Sequence, residues 1–145
     1  MIRLLSVVGV VAALQQMPSS LVIRSGDLST PLPVLVTQRG PMVRLEEGIQ
    51  ALGAALVRTA NDKYRLILGG AEIELSLGVA VARTRNGSEP LAAPPSIFDG
   101  KLLVPLALLT DVVPRVARGY SYRSASGELW RDMPAPERVA PSVAA

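Results

Sequence analysis

The chain has no cysteine and no histidine in its 145 residues. Without cysteine there can be no disulfide, no thiol nucleophile, no thiolate metal site and no lipid-bearing cysteine. Without histidine, the common zinc, non-haem iron and serine–histidine chemistries lose their central residue. Aromatic residues are scarce too: Tyr64, Phe98, Tyr120, Tyr122 and Trp130 are the whole set. A core must therefore come from Val, Leu, Ile and Ala. Glycine-rich phosphate loops, Ser-x-x-Lys pairs and Gly-x-Ser-x-Gly elbows are also missing. Catalysis by this chain alone is not expected, nor is a metal site or a cofactor.

What is present is a normal apolar share of 49% and a net charge of +3, from 15 basic and 12 acidic residues. That balance is far from a nucleic-acid-binding profile, so no nucleic-acid partner is expected. At 15.3 kDa there is room for one ordinary domain. The start reads Met1-Ile2-Arg3, an apolar run from Leu4 to Leu14, then Gln15-Gln16. One early positive charge, a short apolar core and the small residues Val11, Ala12 and Ala13 match a secretory signal peptide over 1–13. The run is too short for a bilayer, which needs about 20 residues. No stable membrane span is expected, and export to the periplasm or cell envelope is. Residues 14–32 form an N-terminal segment with one strand, 33–131 the main domain, and 132–145, with Pro134, Pro136 and Pro141, a tail or linker.

Between these ends the sequence reads as short strands parted by turn residues. Ser20–Arg24 and Pro33–Thr37 are rich in β-branched residues and are separated by Gly26-Asp27 and Pro31. Leu45, Ile49 and Leu52 fall on one helix face, with Glu46 and Glu47 in the first turn and Gly53 placed to end it. Strands are expected at 54–59, 64–68, 71–75 and 79–85, the last closed by the hairpin dipeptide Asn86-Gly87. A second hairpin turns on Asp99-Gly100. Pro105 then opens a helix carrying Leu106, Leu109 and Val113, which Pro114 stops. A last hairpin spans 116–123 and 128–131. The predicted class is α+β: mostly antiparallel β-hairpins with two short helices in a pseudo-repeated module.

The repeat has an offset of 61 residues, placing Val43 on Val104, Leu45 on Leu106, Leu52 on Val113 and Ala55 on Val116. The stretch Leu103-Val104-Pro105-Leu106-Ala107-Leu108-Leu109-Thr110-Asp111-Val112-Val113, after Phe98-Asp99-Gly100-Lys101, resembles the signature of the copper amine oxidase N-terminal-like domain. Val43-Arg44-Leu45 through Ala51-Leu52-Gly53-Ala54 is similar to it as well, with Arg44 in place of the proline. The chain departs from that pattern at Ala107, Asp111 and Pro114, where the family usually has Arg, Glu and Gly. The family is a β-rich module of exported bacterial proteins, often beside cell-wall hydrolases. The order of signal, one module and Pro/Ala tail also resembles the N-terminal region of exported N-acetylmuramoyl-L-alanine amidases. Their zinc-binding catalytic domain is not in this sequence. Copper is not implied either, since type-2 copper sites are built on imidazole.

Few residues remain as candidates for chemistry. Glu72 and Glu74 share one strand face, an arrangement that suits acid–base work or a hard cation but also any solvated strand. The stronger cluster is aromatic and basic: Arg118, Tyr120 and Tyr122 alternate along one strand, with Arg123 and Trp130 nearby. Rings stack on sugar faces, and guanidinium groups pair with the peptide carboxylates of a wall polymer. The expected role is that of a non-catalytic accessory or targeting domain at peptidoglycan or another envelope component, joined to or working with a hydrolase. The alternative is a stand-alone periplasmic protein-interaction domain.

Overall fold

A computed structural model describes residues 20–131. The expected signal segment and the Pro-rich tail lie outside the described residues. Twelve strands run in chain order: β1 (Ser20–Ser25), β2 (Leu28–Thr37), β3 (Gly40–Arg44), β4 (Ala55–Ala60), β5 (Lys63–Leu68), β6 (Ala71–Ser76), β7 (Val81–Thr84), β8 (Gly87–Pro90), β9 (Ser96–Phe98), β10 (Lys101–Pro105), β11 (Tyr120–Arg123) and β12 (Glu128–Arg131). One helix, α1 (Leu45–Leu52), follows β3, and a π turn (Leu108–Val112) leads into the single-turn α2 (Val113–Val116) after β10.

The expected α+β class does not hold. Strands take 56% of the described residues and helices 17%, which makes the fold mostly β. One reason lies in β2, which begins well before the predicted start and runs through Pro31 and Pro33. Both prolines are paired with β1 residues, Pro31 with Val22 and Pro33 with Ser20. Two-residue turns close the hairpins at Ser25/Leu28 and Thr37/Gly40, and such closing pairs exchange hydrogen bonds. Even-numbered β2 residues therefore turn their N–H and C=O towards β1, and odd-numbered ones away from it. The missing proline N–H groups fall where β1 needs no donor.

The strands form a seven-stranded sheet in the order β11-β12-β1-β2-β3-β10-β9 and a five-stranded one in the order β4-β5-β6-β7-β8. All pairings are antiparallel except β1 with β12, which are parallel and join Val22 to Glu128 and Ile23 to Leu129. Both sheets and both helices feed one core, with Ile23, Leu32, Val43, Leu45, Leu66, Ile73, Val104, Leu109 and Leu129 sealed inside. As the scarcity of aromatics requires, it is almost wholly aliphatic, with Tyr64 and Tyr120 the aromatic members.

The two halves meet at the centre of the large sheet. Hairpin β2–β3 pairs Val34 with Val43 and Thr37 with Gly40. Hairpin β9–β10 pairs Phe98 with Lys101 and Ile97 with Leu102, the same register 61 residues further on. The hairpins join through Val43 opposite Val104, which marks a local two-fold axis. Beyond Arg44 the chain leaves the sheet for α1, so β10 loses its partner there. Glu46 fills the place: its carboxylate accepts the Leu102 N–H at 2.8 Å. The residue related to Leu102 by the axis is Pro41, which has no N–H to satisfy, and the counterpart of Glu46 is Ala107.

The halves part company at their helix ends. Gly53, at φ 66°, closes α1 with its own N–H bonded to Gln50 and the Ala54 N–H bonded to Ile49. Its counterpart, Pro114, does not stop the second helix as predicted. An α-helical Pro114 would press its ring on the Thr110 carbonyl. The turn before it widens instead, the Val113 N–H reaching back to the Leu108 carbonyl, and the helix continues to Val116. That extra turn places Val116 in the helix and delays the final hairpin to Tyr120.

Candidate aromatic–guanidinium face

The final hairpin carries four of the five residues singled out in the sequence and divides them between its faces. Tyr120 and Tyr122 point inward. Tyr120 is buried, and its hydroxyl donates to the Leu52 carbonyl at the end of α1. Burial pushes its phenol up from the ordinary value, opposed by the nearby Arg131 guanidinium. Tyr122 is half-buried against the same core. Arg118 lies before β11 in the turn at Gly119 rather than on the strand. Its backbone N–H bonds to the Gly69 carbonyl at 3.3 Å.

Arg123 and Trp130 point outward. The Arg123 guanidinium sits 4.4 Å from the centre of the Trp130 ring. A second guanidinium, that of Arg24, sits 4.7 Å from the same ring. It comes from β1, where Arg24 is the direct partner of Trp130 in the parallel pairing. Nothing in the local sequence could have shown this, because the two residues are more than a hundred positions apart. Cations over an indole face are attracted by its quadrupole, by about 0.5–1 kcal/mol at exposed sites.

Glu128 orders the cluster. It accepts the Trp130 Nε1–H and the Ser126 hydroxyl at 3.1 Å each, and Arg24 at 3.4 Å. Partial burial pushes its carboxyl up, but the bonds from Trp130, Ser126 and Arg24 outweigh this and hold it below the ordinary range. Arg24 is thus engaged with an acid, while its Nε is buried without a hydrogen-bond partner. Arg123 makes no ion pair among the described residues. The face offers an indole edge, one uncommitted guanidinium and a fixed carboxylate.

Other candidates resolve into surface electrostatics. Glu74 lies between Arg65 and Arg83 in register, and Glu72 pairs with Arg65 at 3.8 Å, so this strand face is a ladder of alternating charge. Arg115 binds Asp111 through two nitrogens and Glu89 at 2.6 Å, tying α2 to β8. Those two acids raise the Arg115 guanidinium above its ordinary value. Among the described residues no group of three or more acids that could hold a metal comes together, and no helix is long and apolar enough to cross a membrane. No family model, no curated protein and no solved structure matches the chain.

Proposed function

We propose that this chain is a non-catalytic, exported accessory module that binds peptidoglycan or a related envelope polymer, in the service of a cell-wall hydrolase of the amidase type. The observation that carries this reading is Trp130 on an outward sheet face between the Arg24 and Arg123 guanidinium groups. Such a face suits a polymer of alternating sugar rings and carboxylate-bearing peptides. A sugar ring can pack against the indole edge left between the two guanidinium groups while Arg123 meets a carboxylate. The likeness of the two helix-flanking stretches to the copper amine oxidase N-terminal-like domain supports the same setting.

Retention on purified, insoluble peptidoglycan tests it. Trp130→Ala and Arg123→Ala should each weaken retention by roughly tenfold, and raised salt should weaken the unmodified chain. Equal retention of both variants and the unmodified chain would defeat the proposal. The second reading, a periplasmic protein-interaction domain, draws on another surface: exposed Ile97 and Phe98 beside a groove of about 440 Å³ lined also by Met42 and Leu103. A chain that ignores the polymer but loses a protein partner on Phe98→Ser would favour it.

A further inference from the structure

The last hairpin sets opposite charges side by side without joining them. Arg123 and Glu128 are direct partners across β11 and β12, so their Cβ atoms lie about 4.5–5.5 Å apart on the outward face. They form no ion pair with each other, because other partners hold both side chains. The Arg123 guanidinium lies against the Trp130 ring, and Glu128 is tied to Trp130, Ser126 and Arg24. Those three bonds do not saturate the carboxylate. Its Oε1 takes the Trp130 and Ser126 donors. Its Oε2 has Arg24 alone among the described residues, at 3.4 Å, well beyond the roughly 2.7–2.9 Å of a strong charged bond. A carboxylate offers about four acceptor positions, so one on Oε2 stays open. The Glu128 side chain is 21% exposed, which leaves that position within reach of a ligand.

We infer that this face takes an α-amino-acid zwitterion, its carboxylate on Arg123 and its ammonium on Glu128 Oε2. The site is the polymer site proposed above, and the assignment rests on that reading. The group gripped is the free end of a peptide stem that is not cross-linked. Charge complementarity singles out this ligand. A carboxylate alone would gain Arg123 but meet Glu128 as a like charge one strand away. An ammonium beside it turns that repulsion into a second contact and fills the acceptor position that Arg24 leaves open. Arg123 offers the forked donors that match a carboxylate. Glu128 does not swing across to Arg123 first, because the Trp130 Nε1–H and the Ser126 hydroxyl pin its Oε1. The two charges are therefore held ready for a ligand whose own opposite charges sit on one carbon.

Retention on insoluble peptidoglycan in two forms, untreated and with its free amines acetylated, reads the ammonium directly. Acetylation keeps the sugars and the carboxylates. The unmodified chain should bind the acetylated form roughly tenfold more weakly. Glu128→Gln keeps an acceptor for Trp130 and Ser126 but loses the charge. It should already be weak on untreated polymer and indifferent to acetylation. Trp130 is the single tryptophan, so its indole N–H resonance reports the site without the polymer. D-Alanine should shift that resonance, and N-acetyl-D-alanine at the same concentration should shift it far less. The same resonance shows whether Glu128→Gln keeps the ring in place. Undiminished retention on acetylated polymer, or equal shifts from the two small probes, would overturn the zwitterion while the polymer reading stands. A Glu128→Gln chain that still loses tenfold on acetylation would place the ammonium elsewhere and overturn it too. Retention on neither form would defeat the polymer reading, and the response to D-alanine alone would then decide the zwitterion.

Discussion

Single side chains in the last hairpin do two unrelated jobs, and alternation keeps them apart. Tyr120 belongs to the core and to the end of α1. Tyr120→Phe should lower stability by about 1–2 kcal/mol, because the buried Leu52 carbonyl loses its donor. Burial favours the protonated phenol, so its contribution is complete below the ordinary phenol pKa of about 10 and is lost as pH rises through the raised folded value. Denaturant titrations should therefore show the unmodified chain and Tyr120→Phe converging in alkali. Glu128 has the opposite sign. Its carboxyl is held low, so its contribution is present above the ordinary carboxylate range and lost as pH falls through the lowered folded value. Melting temperatures of the unmodified chain and Glu128→Gln should differ at neutral pH and draw together in acid. In the sequence, the run of Arg, Tyr and Trp was legible as a cluster. Which of its members faced the core was not, because period-two alternation gives two sets and burial alone decides between them. Arg24 and Glu128 were illegible for a simpler reason: their roles arise from β1 lying beside β12.

At the level of elements, the sequence was most informative where backbone chemistry is local. The Asp99-Gly100 turn, α1 and its closure at Gly53 stand where turn and cap rules place them. The hairpin expected to turn on Asn86-Gly87 instead turns one residue earlier, on Arg85-Asn86, with Gly87 paired to Thr84 as the first residue of β8. Proline was the main source of error, since its effect depends on what its nitrogen faces. Pro31 and Pro33 sit inside a strand, and Pro114 sits inside a helix that widens to admit it. Glu46 shows how an exposed carboxylate can serve a buried backbone group. Glu46→Ala should cost about 1–3 kcal/mol by stranding the Leu102 N–H, whereas Glu46→Gln, which keeps an acceptor, should cost much less. Chemical denaturation of the pair separates loss of the acceptor from loss of the charge. Gly69 tests the contact between the sheets. At φ 56° it would place a Cβ 2.6 Å from the Arg118 carbonyl, so Gly69→Ala should destabilise by about 1–3 kcal/mol.

Across the whole molecule, the parallel pairing of β1 with β12 has a consequence for the order in which the fold can form. Hairpins such as β5–β6 close short loops and can assemble as soon as they exist. The β1–β12 seam must wait for almost the entire described chain, because Ile23 meets Leu129. Closing so long a loop is entropically unfavourable until the rest of the sheet is in place. Ile23→Ala and Leu129→Ala remove sealed core side chains from this seam and should each cost about 2–5 kcal/mol. Stopped-flow kinetics should show that loss chiefly as faster unfolding, with refolding little changed, if the seam forms after the rate-limiting step. Equal slowing of refolding would place it in the nucleus instead. One side of β1 therefore stays without its partner until β12 has been synthesised, so the large sheet remains unsealed at that seam while every hairpin between the two strands can already have closed.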